Sequence, residues 1–69
     1  MVLIFGKDGC PYTQAARDDY EKRGVAFQYL NVKKNADDLQ QMLGYSKGRR
    51  EVPVIVDGTS VTIGFAGGT

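Results

Sequence analysis

Sixty-nine residues allow one small domain, spanning 1–69, and its net charge of +1 (nine Lys and Arg against eight Asp and Glu) gives no reason to expect nucleic acid or an anionic membrane as a partner. With one Cys and no His, the chain cannot form an internal disulfide, an all-protein zinc site or any catalysis that needs an imidazole base, so no metal is expected. No apolar run is long enough to span a membrane and no basic leader precedes an apolar stretch; with one unpaired thiol, the expected location is a reducing cytoplasm.

Met1 to Phe5 is a short, continuously apolar run, the pattern of a strand buried on both faces. Gly6 to Gly9 is a loop. A helix follows, with Pro11 suited to its first position and Gly24 to its stop. Asp18–Lys22 and Asp19–Arg23 are spaced to pair along it, and Tyr12, Ala16 and Tyr20 form an apolar stripe with Ala15 beside it. Residues 25–32 are β-prone. Asn35 can cap a second helix that has Asp37 and Asp38 in its first turn, Leu39, Met42 and Leu43 on its apolar face, and Gly44 at its end. Tyr45 to Glu51 is a polar, cationic loop. Residues 52–56 form a third strand with Pro53 near its start, Asp57-Gly58 is a hairpin turn, and residues 60–63 form a fourth strand before a glycine-rich tail.

The order βαβαββ predicts an α/β fold. It begins with a right-handed parallel unit and ends in an antiparallel hairpin, giving a four-stranded mixed sheet. Both helices could lie on one face of that sheet. A monomer is expected, with a dimer as the alternative means of covering an open sheet face.

Cys10 carries the chemistry. At the N-cap of the first helix it faces unpaired N–H groups and the positive end of the helix dipole, which stabilise a thiolate. Thiols so placed titrate at about 3.5–7.5, against about 8.5 for a free one. The N–H or hydroxyl of Thr13, one turn on, can donate to the sulfur, and Lys7 adds positive charge. This reading expects a solvent-exposed Cys10 with a lowered pKa. The bond Val52–Pro53 is open to either isomer, although cis accounts for only about 5–6% of X-Pro bonds. A cis bond there would turn the Val52 N–H and C=O outward, free to pair with an extended peptide.

Lys7-Asp8-Gly9-Cys10-Pro11-Tyr12-Thr13, with Gly48-Arg49-Arg50-Glu51-Val52-Pro53 and Ile63-Gly64-Phe65, resembles glutaredoxin. The resemblance implies a thioredoxin-like fold with sheet order 2-1-3-4, a cis bond at Val52–Pro53, and glutathione as co-substrate with no permanently bound cofactor. Cys10 would be the nucleophile. Lys7 and Arg49 or Arg50 would meet glutathione carboxylates, Tyr12 would line the thiol pocket, and the Val52 backbone beside Pro53 would pair with the cysteinyl part. The N–H groups of Gly64 and Phe65 would offer an anion nest. Substrates would be glutathionylated or disulfide-bearing molecules.

The departures shape the expected mechanism. The family's second motif cysteine is Thr13 here, so a dithiol mechanism is impossible and a monothiol oxidoreductase is expected. Glu51 stands where Thr is usual, the acidic residue that follows Gly-Phe in the family is missing, and the family's last helix is absent from this sequence. The chain is also similar to small glutaredoxin-like bacterial selenoproteins, in which selenocysteine occupies the position of Cys10. Two rival functions are an iron–sulfur carrier bridging two copies through Cys10 and glutathione, and a peroxide-reactive sensing thiol.

Overall fold

Strand β1 (Val2–Gly6) runs inside the sheet between two partners, as its unbroken apolar sequence requires. The structure is a computed structural model that describes residues 1–69. After β1 come α1 (Pro11–Lys22), β2 (Phe27–Asn31), α2 (Ala36–Ser46), β3 (Val54–Asp57) and β4 (Ser60–Ile63). The sheet order is β2-β1-β3-β4. β1 pairs in parallel with β2, from Val2↔Phe27 to Gly6↔Asn31. It pairs antiparallel with β3, from Val2↔Asp57 to Phe5↔Val54, and β3 pairs antiparallel with β4. The four-stranded mixed sheet of order 2-1-3-4 is the architecture expected.

The helices cover opposite faces of the sheet, which decides the question the sequence left open. Side chains alternate across a strand, so Val2, Ile4 and Ile55 face α1 and pack with its Ala16. Phe5, Val54 and Val56 face α2 and pack with its Met42, together with Cys10, Val32 and Val52. Burying each of these larger side chains contributes about 1.5–3 kcal/mol before the entropy of ordering the chain is set against it. No helix is long and apolar enough to cross a membrane.

Helix α1 starts with Pro11 at its first position and ends as the sequence suggests. Gly24, at φ 72°, lets its N–H reach the carbonyl of Glu21 (3.1 Å) while the N–H of Val25 reaches that of Tyr20 (2.9 Å). Of the two expected ion pairs only Arg23–Asp19 forms, at 2.8 Å; Asp18 instead accepts from Gln14 Nε2 at 2.9 Å. The buried face of α1 is Thr13 and Ala16, with Tyr20 half-buried, whereas Tyr12 is exposed.

Asn35 caps α2 by accepting from the N–H groups of Asp37 (2.9 Å) and Asp38 (3.2 Å). Helix α2 runs past Gly44 to Ser46 and stops at Lys47, which adopts the left-handed conformation at φ 58°. The extra turn is held by tertiary contacts. The Tyr45 ring packs on Phe5 with centroids 5.9 Å apart, and the buried Ser46 donates its hydroxyl to the Arg49 carbonyl at 2.6 Å. Strand β2 begins at Phe27 rather than Val25, and β3 at Val54 rather than Val52, because the ladder pairing starts there.

Candidate active site

β1 and α1 meet at a loop that delivers Cys10 to the N-cap. Gly9, at φ 80°, makes the turn, and the Cys10 N–H donates back to the Lys7 carbonyl at 3.4 Å. Cys10 is not solvent-exposed as expected: its relative exposure is 5%. Cys10 is a member of the buried α2-face cluster, with Val32 and Val52, instead of projecting from the loop.

Thr13 is 1% exposed, and its Oγ1 is the one buried side-chain polar atom without a hydrogen-bond partner. It faces the Cys10 sulfur. The side chain of Cys10 makes no formal capping bond. Burial is the largest influence on the thiol and pushes its pKa up. The Thr13 hydroxyl, the N–H groups of Thr13 and Tyr12 and the charge of Lys7 outweigh it and hold the pKa below the ordinary value.

The peptide bond Val52–Pro53 is cis. Val52 belongs to the same buried cluster as Cys10, and neither its N–H nor its C=O takes part in a hydrogen bond within the chain. Val52 also lines a cleft of about 150 Å³ with Lys7, Val32, Lys33, Leu39 and Arg50. The two arginines therefore separate. Arg50 joins Lys7 at the cleft, whereas Arg49 is bound through its Nε and Nη2 to the Glu51 carboxylate, which it holds below the usual range.

The family model for glutaredoxin matches residues 2–61. This chain belongs to the glutaredoxin family. Glutaredoxin 3 of Escherichia coli K12 is 39% identical over 54 residues, which cover 78% of this chain and 64% of that protein. The chain thus spans less than two thirds of the length of that relative. The glutaredoxin of Archaeoglobus fulgidus superposes with a TM-score of 0.80 at 25% identity, over 93% of this chain and 74% of that one. NrdH-redoxin of E. coli, described as a glutaredoxin-like protein with a thioredoxin-like activity profile, gives 0.80 at 25% identity, over 93% and 82%. The sheet and its two helices match the thioredoxin-like glutaredoxin fold.

Against that family pattern, Gly64 and Phe65 differ from expectation. Gly64 N–H donates to the Pro53 carbonyl at 2.7 Å, and Phe65 N–H to the Gly68 carbonyl at 2.8 Å. Neither is free to form an anion nest. The cause is a tight turn in which Gly68 N–H donates back to Phe65 O (3.0 Å), with Ala66 at φ 53° and Gly67 at φ 82°. Gly68 lies so close to the Tyr12 ring that a Cβ there would overlap it. Tyr12 is thus roofed by the chain's own backbone.

Two groups near this glutaredoxin's thiol are not evident from motif reading. Lys33 reaches the cleft because in-register parallel pairing sets the end of β2 beside the loop after β1, with Val32 N–H on Gly6 O at 2.9 Å. The Lys33-Lys34 pair just after a strand was the available signal. Asp8 accepts from the Tyr29 hydroxyl at 3.0 Å and from Lys34 Nζ at 3.3 Å, tying the Cys10 loop to β2. Arg17 lies 4.0 Å over the Tyr29 ring.

Proposed function

We propose that this chain is a monothiol thiol–disulfide oxidoreductase that uses Cys10 and takes glutathione as its reductant. The observation that carries this reading is the buried Thr13 hydroxyl, which faces Cys10 and has no other partner. A hydroxyl in that position favours a charged sulfur over a neutral one.

In the first step the Cys10 thiolate attacks the glutathionyl sulfur of a mixed disulfide. A new S–S bond forms, the old one breaks, and the substrate thiolate leaves and takes a proton from water. A second glutathione thiolate then attacks the glutathionyl sulfur on Cys10. Oxidised glutathione departs and the Cys10 thiolate is restored. One protein sulfur suffices, and this chain has one. Val52 N–H and C=O would pair with the cysteinyl amide beside Pro53, while Lys7 and Arg50 would receive a carboxylate. Tyr12 would border the thiol.

The occupied N–H groups of Gly64 and Phe65 favour a second reading, in which a protein dithiol rather than glutathione supplies the electrons. The likeness to NrdH-redoxin supports the same reading. Reduction of a glutathionylated peptide by glutathione, run beside Cys10→Ser, tests the first. Turnover lost in the variant is the expected result. A fast-alkylating Cys10 without glutathione turnover would replace glutathione with a protein donor.

A further inference from the structure

A thiolate is favoured by nearby cations and disfavoured by a nearby anion, so the direction of each carboxylate close to Cys10 matters. Two acidic residues stand beside the site in sequence, and both are tethered. Glu51, next to Val52, is bound by Arg49. Asp8, two residues before Cys10, accepts from the Tyr29 hydroxyl at 3.0 Å and pairs with Lys34 Nζ at 3.3 Å. Tyr29 belongs to β2, and Lys34 to the turn after it. The half-buried Tyr29 ring packs on the α1-face cluster, with Arg17 of α1 4.0 Å over it. The remaining charges of this corner are cations: Lys7 on the loop, and Lys33 and Arg50 at the cleft beside Val52. Tyr29 itself senses a charge on the Cys10 sulfur, after the larger influences of burial and Asp8. With the phenol raised to about 12, Tyr29 keeps its proton, and so its role as donor, across the range in which a thiol titrates.

We propose that Tyr29 is a positioning residue for the thiol chemistry: its hydroxyl, with Lys34, holds the Asp8 carboxylate toward β2 and so keeps an anion away from the Cys10 thiolate. This inference rests on the reading of Cys10 as the reacting thiol, and is independent of which reductant restores it. Lys34 alone would hold Asp8 weakly, because both side chains are exposed and the lysine stem is flexible. The phenol is different. It sits on a paired strand, its ring is fixed by packing and by Arg17, and its O–H gives the carboxylate one direction. A carboxylate released from it can swing about the loop, where its repulsion of the sulfur opposes the attraction of Lys7. Tyr29 thus acts on the thiol through Asp8, and leaves the positive charge of Lys7 unopposed.

The test is a double-mutant cycle read by iodoacetamide, an uncharged reagent whose rate with Cys10 follows the thiolate fraction across pH. Tyr29→Phe keeps the packed ring and removes only the hydroxyl. Asp8→Asn removes the charge and keeps an oxygen that can accept from Tyr29. Below the midpoint of the wild-type profile, Tyr29→Phe is expected to alkylate about threefold more slowly, with its midpoint moved up. Asp8→Asn should react no more slowly than wild type. Tyr29→Phe/Asp8→Asn should match Asp8→Asn alone, because without the carboxylate there is nothing left to hold away. The gap between Tyr29→Phe and wild type should shrink in 1 M salt, where charges are screened within about 3 Å. An unchanged profile in Tyr29→Phe would overturn the proposal. A double variant as slow as Tyr29→Phe would also overturn it, because the hydroxyl would then act through the shape of the loop and not through Asp8. Slower reaction of Asp8→Asn than of wild type would overturn it as well, by showing that the carboxylate supports the thiolate. A wild-type midpoint at or above that of free cysteine would instead overturn the reading of Cys10 on which the inference stands.

Discussion

Thr13 stands on the backbone of Gly6, so closely that a side-chain carbon at Gly6 would fall 2.7 Å from the Thr13 hydroxyl oxygen. The contact fixes Thr13 between β1 and Cys10, and it explains why the strand ends in glycine. Gly6→Ala should push Thr13 aside, with a stability loss of about 1–3 kcal/mol from overpacking. The same variant should raise the Cys10 pKa, read from the pH dependence of alkylation. A stable Gly6→Ala protein with an unchanged alkylation profile would show that Thr13 does not need this support.

Thr13→Val separates hydroxyl chemistry from packing. The variant keeps a β-branched shape and removes a buried polar atom whose one use is toward the ionised Cys10 sulfur, so below the folded thiol's pKa stability should hold or rise. The thiolate, however, loses a donor. Cys10 should then alkylate more slowly at neutral pH and titrate at a higher value.

Stability should depend on pH through Cys10. The folded thiol titrates below its ordinary value, while in the unfolded chain it titrates near about 8.5. Below the folded pKa both states hold the proton and the group contributes nothing. Between the two values only the unfolded chain keeps it, so stability rises with pH, and the gain is complete above the unfolded value. The urea midpoint, relative to Cys10→Ser, should climb across this window. A difference that stays flat or falls with rising pH contradicts the assignment.

Tyr29 offers a spectroscopic check on the loop that carries Cys10. Burial, followed by its bond to Asp8, raises the Tyr29 phenol to about 12. Ultraviolet titration should show this late step, and Asp8→Asn should move it part of the way back, because burial remains. The stability that the raised phenol contributes is present below the unfolded value of about 10 and is lost as pH rises through the folded one.

The two neighbouring arginines should behave differently. Arg49 is occupied by Glu51, so Arg49→Gln should leave the reaction with an acidic disulfide nearly unchanged. Arg50→Gln should slow it by about twofold to fivefold, with less effect at high salt. Freeing Arg49 with Glu51→Gln should speed it, and steady-state kinetics across the three variants decide the order.

What the sequence determined by itself was local. Pro11 and Gly24 bound α1, Asn35 caps α2, Asp57-Gly58 turns the hairpin, and Cys10 sits at a helix N-cap; each depends on residues within one turn of chain. The boundaries it misplaced, at Gly44, Val25 and Val52, are those where ladder pairing or packing overrides propensity. Tertiary structure decided everything that depends on competition between distant partners. It set the helices on opposite faces and drew the Cys10 sulfur into the core. It gave Arg49 to Glu51 and left Arg50 beside Lys7, brought Lys33 to the cleft through parallel pairing, and spent the Gly64 and Phe65 N–H groups on Pro53 and Gly68. The physical reason is that a donor or a charge can belong to whichever acceptor the fold brings nearest, and that neighbour is set by contacts far along the chain.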